Sequence, residues 1–363
     1  MKIVIKTVIL LLLSSCANIV PPTGGNKDLD PPKLIGKRGV ENMKHVNTRI
    51  VEFEFNEFIQ TNKWDEHFYI SPPIKNKIKK KIKAKKLSLT IEDSLTSNTT
   101  YYLSLNSCIK DINEGNILDT LSYIFATSDN FDTLRLSGEL KDAYNLKVID
   151  NAWVMLFNEE IHDSLIFKTK PSYIAKTNKD GFFNFQNLNS DIFKIVALNS
   201  FDFFYNEGEK MAFYDTTINA SKDSFISLFA FDPIIIFDTT KTDTIIRLNS
   251  TLLDTSINDT IKPQDMLLGK LEILSSINSS CIIQLLQNDK LVKEAFFTKP
   301  PYIIKEIPAA KYDLKLIYDT NNDSSWTTGS WRRRAQAERV INYPSEIVIR
   351  SNWDLELEWV IEE

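Results

Sequence analysis

"RIVEFEFNEF", residues 49–58, alternates apolar and charged positions, with Val51, Phe53 and Phe55 on one parity and Glu52 and Glu54 on the other. A period of two is the pattern of a strand with one face in a core and the other in water. "KLSLTIED" (86–93) repeats it with Leu87, Leu89 and Ile91, and "TYYLSL" (100–105) with Tyr101, Leu103 and Leu105. No stretch sustains a period of 3.6. Short strands at regular spacing with turn residues between them predict an all-β chain of tandem antiparallel β-sandwiches.

Internal repetition divides the later part of the chain. "TKPSYI" begins at Thr169 and "TKPPYI" at Thr298; each is followed by an apolar-rich strand, "KIVALN" from Lys194 and "KYDLKLIYD" from Lys311. Upstream of each stands a Gly-x-Leu start, "SGELKDA" at Ser137 and "LGKLEIL" at Leu268. A very apolar strand follows, "AWVMLF" at Ala152 and "CIIQLL" at Cys281. Two sandwich units are therefore expected, at 132–235 and 265–363, joined by a Thr/Asp-rich linker or long loop at 236–264.

The region 30–128 differs. "DPPKLI", "VEFEFNEFI", "YISPPI", "LTSNTTYYLSLNSCIKDINEGN" and "FATS" resemble, in order, the bacterial Ig-like domain of the SbsA type found in lipoproteins of Bacteroidota. The resemblance implies an Ig-like sandwich in which Leu95, Asn98, Thr99 and Tyr101 make a corner, with Tyr101 packing and anchoring the turn. The two later units resemble, more loosely, the transthyretin-like or carboxypeptidase-regulatory sandwich, through Gly-x-Leu, "DGFF" and strand order.

Residues 1–15 have a charged start (Lys2, Lys6), a short apolar core and the small residues Ser14 and Ser15, the layout of a secretory signal peptide. The apolar run is shorter than the roughly 20 residues a spanning helix needs. Leu13-Ser14-Ser15-Cys16 resembles the lipobox of bacterial lipoproteins, which implies lipidation of Cys16 and a membrane tether of acyl chains, each buried CH₂ contributing about 0.8 kcal/mol. Ala17 after the cysteine implies sorting to the outer membrane. Without an early acidic cluster, the resemblance implies its periplasmic face. Residues 16–29, rich in Pro, Gly and Asn, are expected as a flexible spacer.

Without residues 1–15 the chain keeps 41 Lys and Arg against 48 Asp and Glu. That acidic balance excludes general nucleic-acid binding. Cys108 and Cys281 fall in different expected units; a disulfide stays open in an oxidising compartment, but buried thiols are the expectation.

Three stretches carry candidate sites. Asp319, Asn321 and Asp323 alternate in "YDTNNDSSWTTGSW", a spacing that can converge oxygen ligands on Ca²⁺. Ser324 stands where an EF-hand loop has Gly and Ser330 where it has Glu, so an Asx-rich turn is the competing reading. Trp326, Trp331, Arg332 and Arg333, with Arg334 beside them and Trp353 and Trp359 further on, offer a surface for stacking a sugar or docking a peptide; core packing would use the same residues. "KNKIKKKIKAKK" (75–86) reads as a strand with one basic face, suited to anionic lipid or polysaccharide or, as a solvated edge, to blocking unwanted pairing.

Catalytic equipment is not recognisable. His45, His67 and His162 lack metal-ligand spacing, and there is no phosphate-cradling loop. No cofactor other than calcium is suggested. The expected function is that of a non-enzymatic, lipid-anchored envelope lipoprotein with a structural or protein-interaction role. The alternative is a glycan- or peptide-binding accessory subunit of an outer-membrane complex.

Overall fold

The structure, a computed structural model, describes residues 27–38, 50–200, 202, 204–206, 208–233 and 268–361. The leader, Cys16, most of the spacer and the 236–264 stretch lie outside them.

The alternating segments become strands. In the first unit a four-stranded sheet runs in the order Leu34–Arg38, Ile50–Phe55, Lys86–Thr90, Lys79–Lys83. A second sheet runs Ser122–Ala126, Thr100–Ser104, Tyr69–Ser71. Val51, Phe53, Phe55, Leu87 and Leu89 from the first pack with Tyr101, Leu103, Tyr123 and Phe125 from the second in one apolar core. All but Tyr123 and Phe125 are the inward parity of "RIVEFEF", "KLSLTIED" and "TYYLSL". A small third sheet, Ile59–Thr61, Ile109–Asp111, Ile117–Leu118, closes one end. There Asp111 accepts the backbone N–H of Glu114 (2.7 Å), Gly115 (2.8 Å) and Asn116 (2.8 Å), making the turn of "DINEGN".

The two later units share one topology. In the middle unit a three-stranded sheet runs Phe182–Leu188, Leu134–Asp142, Phe225–Ala230, its central strand antiparallel to the first and parallel to the last. The last unit repeats this with Tyr302–Pro308, Leu268–Ser275 and Asp354–Trp359. Each unit has a larger sheet. It runs Tyr173–Lys176, Trp153–Asn158, Ile192–Leu198, Met211–Phe213 in one and Lys290–Phe297, Cys281–Gln287, Lys311–Tyr318, Val340–Asn342 in the other. The glycines of the two Gly-x-Leu starts sit on the central strands for the same reason. A Cβ on Gly138 would stand 2.2 Å from the Ile226 carbonyl oxygen, and one on Gly269 2.5 Å from that of Arg350.

The outer faces of the two larger sheets differ. In the middle unit Val154, Leu156, Ile195 and Ala197 point into the sandwich core. The opposite parity, Trp153, Met155, Phe157, Val196 and Leu198, is buried as well, in a second cluster joined by Tyr69 of the first unit and Trp326 and Trp331 of the last. In the last unit the outer face holds only a small cluster, Ile282, Ile317 and Val340, covered by Tyr144, Leu146 and Trp326. Cys108 and Cys281 are buried and free, and burial pushes their thiols up to about 12 and about 11.

Candidate functional site: the aromatic loop of the last unit

The segment between the strands Lys311–Tyr318 and Val340–Asn342 contains every site residue suggested for the last unit except the two later tryptophans. Its arms are tied by the buried Glu338 carboxylate. This accepts the Thr320 N–H (2.7 Å), the Thr320 hydroxyl (2.9 Å) and the Thr327 N–H (2.9 Å). Trp326 Nε1 donates to the Glu338 carbonyl (3.0 Å), which sets its ring against Tyr144 of the middle unit at 5.0 Å.

Trp331 reaches further into the middle unit, 5.1 Å from the Phe167 ring and 5.2 Å from that of Phe213. The Arg334 guanidinium lies over Phe213 (4.4 Å) and Trp331 (4.3 Å) and pairs with Asp163 at 3.4 Å. Gln336 Nε2 donates to the Phe213 carbonyl and to Asp215 Oδ1, both at 2.9 Å, and the Thr328 hydroxyl donates to the Asp232 carbonyl at 2.7 Å. Gly329 permits this approach: a Cβ there would meet the Phe231 ring at 2.5 Å. Aromatic contact, cation-π stacking and hydrogen bonds thus act at one junction within the chain.

The middle unit reciprocates through Tyr144. Its hydroxyl donates to Gln284 Oε1 (3.2 Å), and Lys315 Nζ donates to its carbonyl (3.1 Å) while lying 4.1 Å from its ring centre. Burial lowers the pKa of Lys315. Lys147 and Asp289 add an exposed ion pair at 2.8 Å.

Asp319, Asn321 and Asp323 lie together at the start of the loop, where they accept from its own amides and hydroxyls. Asp319 takes the N–H of Asp323 (3.1 Å) and of Ser324 (3.0 Å), one on each oxygen. Asn321 Oδ1 accepts from Asp323 N–H (3.0 Å), and Asp323 Oδ1 from the amide and hydroxyl of Ser325, both at 2.8 Å. This is the Asx-turn geometry. Among the described residues no group of three or more His, Cys, Asp and Glu is arranged to hold a metal ion.

The four tryptophans do not share a surface. Trp359 is buried in the last core, against Tyr343 at 5.3 Å, and Trp353 is 59% exposed. Trp353 borders an open groove of about 380 Å³ together with Tyr343, Glu346 and Arg350. Of the three arginines that the sequence sets beside the tryptophans, Arg332 and Arg333 are exposed and Arg334 is the one that stacks. Tyr144, Phe167 and Phe213 are not legible in the sequence as partners of this loop. The one usable signal was "AWVMLF", apolar at both parities, as expected of a strand buried on both faces.

The first unit joins the middle one by a smaller contact. Tyr69 packs edge-on against Trp153 at 5.9 Å, and the Ile174 N–H donates to the Ser71 hydroxyl at 3.0 Å. Lys176 Nζ donates to the Glu66 carbonyl (2.5 Å) and Asn151 Oδ1 (3.0 Å) and sits 4.2 Å from the Trp153 ring. Burial draws its pKa down to about 8.

Within the first unit the expected corner is formed. The Thr96 N–H donates to the Tyr101 hydroxyl at 2.9 Å, and the Tyr101 ring stacks on Phe125 at 5.1 Å. The family model that matches this stretch, over residues 28–127, is the bacterial Ig-like domain. The first unit is an Ig-like domain. No curated protein sequence matches the chain.

Among solved structures the chain is similar to the Bacillus anthracis TIE protein, at 11% identity and a TM-score of 0.19, over 94% of this chain and 59% of that one. It thus spans about three fifths of that protein's length. It is also similar to GBS52, the minor pilin of the gram-positive pathogen Streptococcus agalactiae, at 12% identity and a TM-score of 0.21, over 63% of this chain and 95% of that one.

Proposed function

We propose that this chain is a non-catalytic structural lipoprotein of the cell envelope. Acyl chains on Cys16 tether it to the periplasmic face of the outer membrane, with the Ig-like domain nearest the lipid and the two later sandwiches projecting to meet a protein partner. The observation that carries the structural part is the use of Trp326 and Trp331. Large aromatics that could have formed a ligand platform are placed between the last and middle units, with Arg334 closing the stack. A chain that commits its best docking residues to its own junction is suited to holding a fixed shape. Membrane fractionation of Cys16→Ala tests the tether: retention in the membrane fraction would reject it. A mild crosslink and pull-down from outer-membrane fractions tests the partner, and a stoichiometric protein lost in Cys16→Ala supports the reading.

One observation favours a second reading, glycan or peptide binding by the last unit. Trp353 is exposed at the groove with Tyr343, Glu346 and Arg350, and an aromatic beside charged groups suits a sugar face. Retention of the wild-type chain on envelope polysaccharide, abolished by Trp353→Ala, would move the assignment there.

A further inference from the structure

The charge of the chain is unevenly distributed. Residues 27–128 carry 16 Lys and Arg against 13 Asp and Glu, whereas residues 129–363 carry 25 against 35. Eight of the first unit's lysines fall between Lys75 and Lys86, and the strand Lys79–Lys83 is a free edge of the four-stranded sheet. Lys79, Lys81 and Lys83 stand opposite Thr90, Ser88 and Lys86, on the face turned from the core, while Ile82 pairs with Leu87 on the inward side. Some of the eight are engaged. Lys79 pairs with Glu92 (2.5 Å), Lys86 with Glu54 (3.3 Å), and Lys80 lies 4.5 Å from the Trp64 ring. Lys75, Lys77, Lys81 and Lys83 are exposed, without an ion-pair partner among the described residues.

The tip of this hairpin lies near Lys33, just before the first strand. Lys85 Nζ donates to the Asn56 carbonyl (2.6 Å), and Asn56 exchanges two hydrogen bonds with Lys33, giving its N–H to the Lys33 carbonyl (3.0 Å) and taking the Lys33 N–H on Oδ1 (2.6 Å). Lys33 stands 17 positions after Cys16 in the sequence. The acids of the same end, among them Asp28, Asp30, Asp111 and Glu114, gather at the Asp111 turn, where Asn116 Nδ2 donates to the carbonyls of Asp28 (3.1 Å) and Asp30 (3.2 Å).

We infer that the Lys75–Lys86 hairpin lies on the anionic headgroups of the membrane that holds Cys16, so that the Ig-like domain is held by acyl chains and by a lysine-lined sheet edge. Which membrane it touches rests on the proposed Cys16 tether; the affinity for an anionic leaflet does not. Each lysine near such a surface strengthens association roughly fivefold, so the four unpaired ones together account for a factor of several hundred. A partner of this charge complementarity also explains why the edge is basic in a chain that is otherwise acidic.

The test uses the mature chain with Cys16→Ser, which has no lipid, and sedimentation with vesicles of phosphatidylcholine alone or mixed with phosphatidylglycerol. Binding is expected only with phosphatidylglycerol and is expected to fade as salt shortens the screening length. Changing Lys75, Lys77, Lys81 and Lys83 to Ser should weaken it several hundred-fold, whereas changing Lys222, Lys290, Lys299 and Lys305 to Ser should not. Equal binding to both vesicles, or undiminished binding by the first variant, overturns the inference. Retention on a polyanionic glycan without vesicle binding overturns it too and assigns the edge to a polymer. Since no acyl chain is present, any of these failures leaves the lipidation of Cys16 to be judged by its own fractionation test.

Discussion

The larger sheets of the middle and last units have the same strand order and directions but outer faces of different chemistry. "AWVMLF" is apolar at every position because Trp331, Trp326 and Tyr69 cover the face that Trp153, Met155 and Phe157 present. The corresponding strand "CIIQLL" carries Gln284 on its outer face, beside Lys315, because its cover is the polar-tipped Tyr144. A repeated fold therefore keeps its inward residues apolar by necessity, while its outward residues follow whichever neighbour covers them.

That contrast can be broken first at what the two units share. Gly138→Ala and Gly269→Ala should each destabilise their unit by roughly 3 kcal/mol or more, the upper range for overpacking, since the close atoms include backbone carbonyl oxygens that cannot move aside. Denaturant unfolding measures it, and free tolerance of either change would undo the structural equivalence of the two glycines.

Next comes what differs. Trp331→Ala removes the wedge on the middle unit and should cost about 2–3 kcal/mol, less than a wholly buried Trp because Trp331 is only half-buried. Calorimetry should show the last unit melting separately from the middle one. Trp353→Ala, at an exposed site, should stay within about 0.5 kcal/mol of the parent; a comparable loss from both would erase the distinction between junction and free tryptophan.

A pH series sharpens the contact between the first and middle units. The folded chain releases the Lys176 proton near pH 8 and the unfolded chain near the ordinary 10.5. Below pH 8 both states hold the proton and the cost of burying the charge is fully present. Between about pH 8 and 10.5 the unfolded chain holds the extra proton, so stability should rise with pH across that window. Lys176→Met should flatten that part of the profile, and an unchanged slope would remove Lys176 as its source.

The smallest effects concern exposed groups. Lys147→Ser, which breaks the ion pair with Asp289, should leave melting unchanged, as is usual for solvent-exposed pairs. Excess Ca²⁺ or a chelator should likewise leave the last unit's melting where it is, because oxygens of Asp319, Asn321 and Asp323 already accept from the loop's own N–H groups. A rise in melting temperature with Ca²⁺ would show binding to the native state.

Much of the fold is legible in the residues alone. Alternation at Val51, Phe53 and Phe55 names the inward face of a strand, and the two Gly-x-Leu starts mark equivalent central strands. Tyr101 at its spacing from Leu95 indicates the corner that its hydroxyl closes on Thr96. The site is legible only in part. Trp326 and Trp331 stand out as aromatics near Arg332, Arg333 and Arg334, but neither the rings they meet nor which of the three arginines stacks is legible there. Adjacent positions of one residue type cannot be told apart until the loop's path decides which of them faces inward.

The sequence by itself therefore determined local features: strand alternation, the sandwich class, the repeat, the corner and the basic edge. Each depends on residues a few positions apart, whose side chains share a face by backbone geometry alone. Only the tertiary structure decided which faces are joined, as when Lys315 comes to rest on Tyr144, 171 positions away. Such contacts depend on how whole sheets pack, and packing is set by the summed fit of many side chains, which no short pattern records.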